Sequence, residues 1–145
     1  MKRSISLACM AILASGCTTQ NVNTFGTIDR SDKTITVPAG SAGLTGGLKG
    51  ALQANGWKMT VYRGASVTQG SVGERTNLRQ YDTFNTRYTL SVRYNQFDTC
   101  IKDLKGYSSY DISLIDNTSG SEVFTIDGED CDTDTVKKFS QLISD

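Results

Sequence analysis

The chain has 145 residues, with 15 basic and 15 acidic side chains, one proline, four cysteines and no histidine. A formal net charge of zero excludes the strongly basic footprint of a nucleic-acid binder. The lack of histidine removes the commonest general acid/base and a usual zinc ligand, and the length fits one domain with its own core.

Lys2 and Arg3 precede a short apolar run, Ile5 to Leu13, that only Ser6 interrupts with a hydroxyl among its first residues. A permanent bilayer span needs roughly 20 apolar residues, so the run reads as a cleaved signal. It ends in Leu13-Ala14-Ser15-Gly16-Cys17. These five residues resemble the lipobox of bacterial lipoproteins, with Ala14 where the family usually has Leu and Leu13 one position further back. The resemblance implies a signal peptide over 1–16, a diacylglycerol on the thiol of Cys17 and acylation of the new amino group. Two or more chains anchor a protein stably. In Gram-negative members an Asp after the cysteine means inner-membrane retention. Thr18 stands there instead, which implies export to the outer membrane.

Without the signal the remainder is slightly acidic, basic in its first part and acidic over 96–145. Residues 17–33 read as the lipidated cysteine and a polar tether, with only Val22, Phe25 and Ile28 to bury. Residues 34–145 form the expected single domain. Thr34 to Pro38 is β-branched and reads as a strand stopped by proline. Leu44, Leu48, Ala51 and Leu52 share one face of a helix, with Ser41 as its cap and Asn55-Gly56 as its stop. Trp57 to Arg63 alternates again, which makes a strand-helix-strand unit suited to a parallel pair.

Gly64 to Thr86 is polar and reads as a mobile excursion in which Leu78, Tyr81 and Phe84 can form at most a short strand. Tyr88, Leu90, Val92 and Tyr94 then alternate with Arg87, Thr89, Ser91 and Arg93, which gives a strand with one buried and one wet face. A second strand covers about Tyr107 to Ile115. It turns at Asn117-Thr118-Ser119-Gly120 and returns through Glu122 to Ile126. Val136, Phe139, Leu142 and Ile143 mark a final helix, capped by Asp132 or Thr133.

The order β-α-β-β-β-α gives an α+β fold. Its expected form is a two-layer sandwich of a mixed four- to five-stranded sheet with two helices on one face. Together with the lipobox cysteine, this order resembles the small α/β outer-membrane lipoproteins, the LPS-assembly lipoproteins among them. The likeness is one of element order and transfers no site residues.

Cys9 leaves with the signal and Cys17 carries lipid, so Cys100 and Cys131 remain. In an oxidising envelope an isolated pair is expected to bond. The alternatives are two free thiols or half of a metal site, for which histidine and Cys-x-x-Cys spacing are lacking.

Three further features bear on chemistry. The glycines from Gly40 to Gly50 precede and enter a helix but match no phosphate-binding fingerprint, so Gly43, Gly46, Gly47 and Gly50 read as close packing of that helix on the sheet. The run Asp127 to Asp134 carries oxygen ligands without EF-hand spacing, and reads as an acidic helix start more readily than as a Ca²⁺ site. Lys58, Thr60, Tyr62, Arg87, Thr89, Ser91 and Arg93 can share one cationic, hydroxyl-rich sheet face if strand order brings them together. Lys58, Tyr62, Arg87 and Arg93 are the candidate binding residues.

The expectation is a non-enzymatic lipoprotein of the outer membrane, without metal or cofactor. It would hold the membrane through its anchor and bind another envelope protein, lipid or peptidoglycan, but no nucleic acid. The alternative is a small-ligand or lipid-binding lipoprotein with a pocket between helices and sheet. Catalysis is not expected, since the usual acid/base and nucleophilic groups are missing.

Overall fold

The structure is a computed structural model that describes residues 19–62 and 85–144, together with the backbone of strands 67–72 and 76–81. The expected signal peptide and Cys17 lie outside the described residues.

The expected unit comes first. Strand β2 (Thr34–Val37) leads into helix α1 (Gly43–Ala54) and then into β3 (Lys58–Val61), which pairs parallel with β2. Helix α1 buries Leu44, Leu48, Ala51 and Leu52, the apolar stripe visible in the sequence. Its end is a Schellman motif: Gly56 adopts φ 76, its N–H donates to the Gln53 carbonyl at 3.1 Å, and Trp57 N–H donates to that of Leu52 at 3.0 Å. At its start, Ala42 rather than Ser41 is the capping residue, and no side chain caps it.

Three long strands follow as an antiparallel meander: β6 (Tyr88–Thr99), β7 (Gly106–Asp116) and β8 (Ser121–Cys131), each of them longer than its alternating core in the sequence. Helix α2 (Asp132–Ser144) leaves directly from β8. In front of all of these, β1 (Thr19–Thr24) pairs antiparallel with β8, from Thr19 opposite Glu129 to Thr24 opposite Phe124. The sheet is therefore six-stranded and mixed, in the order β1-β8-β7-β6-β2-β3, where four to five strands were expected.

The added strand comes from the expected tether. Thr19–Thr24 has too few apolar side chains to read as a strand, yet Val22 reaches the core cluster and Gln20 Nε2 donates to Tyr110 Oη at 3.0 Å. Residues 64–86 also depart from expectation. They hold β4 (Val67–Val72) and β5 (Thr76–Tyr81), which form a two-stranded antiparallel sheet of their own.

Both helices pack against the same face of the six-stranded sheet, over a core that includes Ile35, Leu48, Tyr88, Ile112, Phe124 and Phe139. Trp57 meets Tyr88 edge-on at 5.5 Å, and Phe124 meets Phe139 edge-on at 6.0 Å. A register shift after Leu114 leaves Val123 as an extra residue in β8, so both Val123 and Phe124 are buried. The helical glycines divide: a Cβ on Gly43 would lie 3.0 Å from Tyr94 Oη of β6, as packing on the sheet requires, while Gly50 faces open space. A Cβ on Gly47 would lie 2.6 Å from Val136 Cγ2, so Gly47 lets α1 close on α2 rather than on the sheet.

Candidate functional site

The face of the sheet opposite the helices is polar, and strand register arranges it in rows. Arg93, Asp111, Asp127 and Asn21 stand side by side across β6, β7, β8 and β1. The next rows are Ser91, Ser113, Thr125 and Asn23 on one side, and Asn95, Ser109, Glu129 and Thr19 on the other. Hydrogen bonds run along them: Asn21 Nδ2 donates to Asp127 Oδ2 at 3.0 Å, and Asn23 Nδ2 to Thr125 Oγ1 at 3.4 Å. An open groove of about 640 Å³ crosses these rows, lined by Thr19, Asn21, Arg93, Asp111, Asp127 and Glu129 among others.

Both candidate arginines are engaged within the fold. Arg93 pairs with Asp111 and Arg87 with Asp116, its Nη2 donating at 2.8 Å. The hydrogen bond to Asp116 raises the guanidinium's affinity for its proton further. Partial burial pushes the Asp116 carboxyl up, but the Thr118 N–H and the Arg87 guanidinium outweigh it, and the group titrates below the usual aspartate value. Asp29 approaches Arg87 at 4.0 Å and is lowered chiefly by its hydrogen bonds from Ser31.

Lys58 lies opposite Thr34 on the neighbouring strand, and Thr34 Oγ1 in turn accepts the Arg87 N–H at 2.9 Å, so Lys58, Thr34 and Arg87 form a short row. Tyr62 follows β3, with its N–H donating to the Val37 carbonyl. The four candidates thus divide. Lys58, Tyr62 and Arg87 belong to the β3-β2-β6 end, while Arg93 joins an otherwise acidic groove over β7, β8 and β1. From the sequence, Asp127 and Glu129 belonged to the acidic run read as a helix start, and Asn21 to the tether. The register of β7 and β8 instead sets Asp127 beside Asp111, and β1, whose pairing leaves little apolar signal, adds Asn21.

The disulfide between Cys100 and Cys131 is present, with 5.6 Å between Cα atoms. It ties the loop between β6 and β7 to the start of α2. Asp132 and Asp134 occupy the first turn of α2, where carboxylates meet the positive helix end. Asp132 Oδ1 accepts the buried Ser108 hydroxyl at 2.7 Å, and Asp134 pairs with Lys102. Asp130, Cys131 and Asp134 bring their ligand atoms within 4.8 Å of one another. The sulfur is bonded to Cys100, however, so two carboxylates remain.

On the helix side a cavity of about 440 Å³ opens between the two helices and the base of the β6–β7 hairpin, lined in part by Gly47, Gln96, Lys105, Asp132 and Val136. Deeper in the same layer, burial raises the Tyr110 phenol above its ordinary value.

No family profile matches the chain, and no curated protein matches it. Among solved structures it is similar to dodecameric PelC of Paraburkholderia phytofirmans. A PelC variant in space group C2 is 15% identical, with a TM-score of 0.46 over 87% of this chain and 91% of that chain. PelC in space group P6 is 16% identical, with a TM-score of 0.48 over 87% and 93%. Among the described residues no helix is long and apolar enough to cross a membrane.

Proposed function

We propose that the protein is an outer-membrane lipoprotein, acylated at Cys17, that acts as a non-enzymatic binding module for another component of the cell envelope. The observation that supports this reading best is the polar groove on the sheet face away from the helices. An extended row of side chains across four strands gives a broad, shallow surface of the kind that receives a macromolecule rather than a buried substrate. The arginines are already paired with Asp111 and Asp116, so the carboxylates of Asp127 and Glu129 dominate the groove, and the partner it fits carries hydroxyls or positive charge. Such a partner is an envelope protein or glycan. At the other end of the face Arg87 is offset by Asp116 and Asp29, which leaves Lys58 as the candidate cation there.

The test is crosslinking from Asn95 in the native envelope, repeated in Asp127→Lys and Arg93→Glu backgrounds. The groove reading expects one dominant adduct that Asp127→Lys weakens and that Arg93→Glu, which makes the groove more acidic, does not weaken. The same adduct at the same yield in both variants refutes it. Palmitate labelling that persists in Cys17→Ala refutes the anchor.

A second reading, a small-ligand carrier, draws on the helix-side cavity of about 440 Å³, which is in the size range of small-molecule sites. Mass spectrometry of the protein purified from its membrane checks it, with Gly47→Leu as the variant that narrows the cavity.

A further inference from the structure

The loop that closes the β6–β7 hairpin carries an exposed apolar tip. Ile101 is 95% exposed, Leu104 81% and Phe97 53%. Soluble surfaces scatter such residues singly, and a contiguous group marks a contact surface. Here three of them occupy eight consecutive residues, with Lys102, Lys105, Asp98 and Asp103 between and beside them in equal numbers of either charge. The tip is also held firmly. Leu104 N–H donates to the Cys100 carbonyl at 2.9 Å, and Cys100 N–H to that of Lys105 at 2.7 Å. The disulfide fixes Cys100 to the base of α2, and Phe97 packs edge-on against Tyr107 at 5.4 Å. Leu104 has φ 58, a left-handed backbone that a branched side chain rarely adopts and that persists only where its surroundings impose it. Rigid presentation of two large aliphatic side chains to solvent calls for an occupant.

The position of β1 says which. Thr19 lies opposite Glu129, which adjoins Ser109 and then Asn95, so β1 begins at the end of the sheet where the β6–β7 hairpin projects. Beyond that row the hairpin continues from Asn95 to Thr99, a further reach of about 13 Å at roughly 3.3 Å per residue. Cys17 is only two residues before Thr19, so its Cα lies within about 7.6 Å of that of Thr19. The tether that would have let the domain stand off is largely consumed by β1. An acylated Cys17 therefore holds this end of the sheet at the membrane surface, and the tip reaches at least as far as the anchor. The turn between β7 and β8, at residues 117–120, is at the opposite end and is polar. Phe25, 65% exposed, stands at that far end without large apolar neighbours in the turn.

We infer that the Phe97–Leu104 hairpin tip docks on the phospholipid bilayer that carries the acyl chains, with Ile101 and Leu104 in the interface and Lys105 at headgroup level. The inference rests on the reading of Cys17 as acylated. It gives the domain a fixed orientation, upright on two points of attachment, with the sheet face and its groove perpendicular to the membrane.

The experiment places a fluorophore at Ile101→Cys or at Ser119→Cys in the acylated chain, on phosphatidylethanolamine/phosphatidylglycerol vesicles whose acyl chains are brominated. Docking expects the label at 101 to be quenched severalfold more than the label at 119, and Leu104→Cys to repeat the result. Equal quenching at the two ends, reversed quenching or none at all on a vesicle-bound, acylated chain overturns docking and leaves the anchor standing. Acyl content is measured on the same preparation, and its absence removes the anchor and the docking together.

Discussion

Gly47 and Gly50 sit one turn apart on the same helix, and replacing each with alanine should move stability in opposite directions. Alanine is better than glycine in a helix interior by about 0.8–1.0 kcal/mol. At Gly50 an added Cβ meets nothing within 4 Å, so Gly50→Ala should stabilise by about that amount. At Gly47 the new Cβ lies 2.6 Å from Val136 Cγ2 and 3.7 Å from its Cβ. Carbon atoms rest at about 3.5–4.0 Å, so the helices must part or Val136 must turn. Valine in a helix has one strongly preferred rotamer, and overpacking of this kind costs about 1–3 kcal/mol. Set against the propensity gain, Gly47→Ala should come out about 0–2 kcal/mol destabilised, and roughly 1–3 kcal/mol below Gly50→Ala. Urea unfolding of the disulfide-intact chain measures both, with unchanged slopes confirming that the states compared are the same. Val136→Ala should restore room, so the pair Gly47→Ala and Val136→Ala should be less destabilised than the sum of the singles. Equal stabilisation at both glycines would refute the close approach of α1 and α2.

Reduction of the Cys100–Cys131 bond, which spans 31 residues of sequence, should lower stability by about 3.7 kcal/mol on the chain-entropy relation. Denaturation with and without reductant checks this, and a loss below about 1 kcal/mol speaks against a restraint on the unfolded chain. Phe139→Ala removes a ring that is fully buried against Phe124 and should cost about 3–5 kcal/mol, read by the same unfolding curves. Because the Asp116 carboxyl titrates below its usual value in the fold, its stabilising contribution is complete above about pH 4 and is lost as pH falls through the depressed value. Asp116→Asn should therefore be less stable at neutral pH and show a shallower acid limb in a pH series. An acid limb as steep as that of the wild type would exclude Asp116 as a source of acid sensitivity.

Where side chains signal burial, the sequence is a sufficient guide. The alternation from Tyr88 to Tyr94 and from Tyr110 to Leu114 puts each apolar residue on the helix side, and Asn55-Gly56 marks the helix end to the residue. Strand β1 was not legible for the converse reason: an edge strand needs one inward apolar residue, Val22, and its remaining energy comes from backbone pairing that every sequence offers. Of the hairpin over β4 and β5, the short strand at Leu78 and Tyr81 was legible, while β4 was hidden in polar, glycine-containing sequence. The site was less legible than the fold, because periodicity assigns a residue to a face but not to a neighbour. Arg87 and Arg93 read as free cations until strand order sets Asp116 and Asp111 beside them. Gly47 has the same lesson, since the closeness it permits was expected but the surface it approaches, α2 rather than the sheet, was not.

Strand β1 also bears on how the protein is made. Its Asn21 meets Asp127 across 106 residues of chain, so the first strand of the sheet to be synthesised finds its place only after the last strand has followed. Contacts this distant in sequence form slowly, and until then the exposed edge of β8 has no partner. The sheet is completed last along β8, so an unfinished chain presents one open strand edge to its surroundings until β1 closes it.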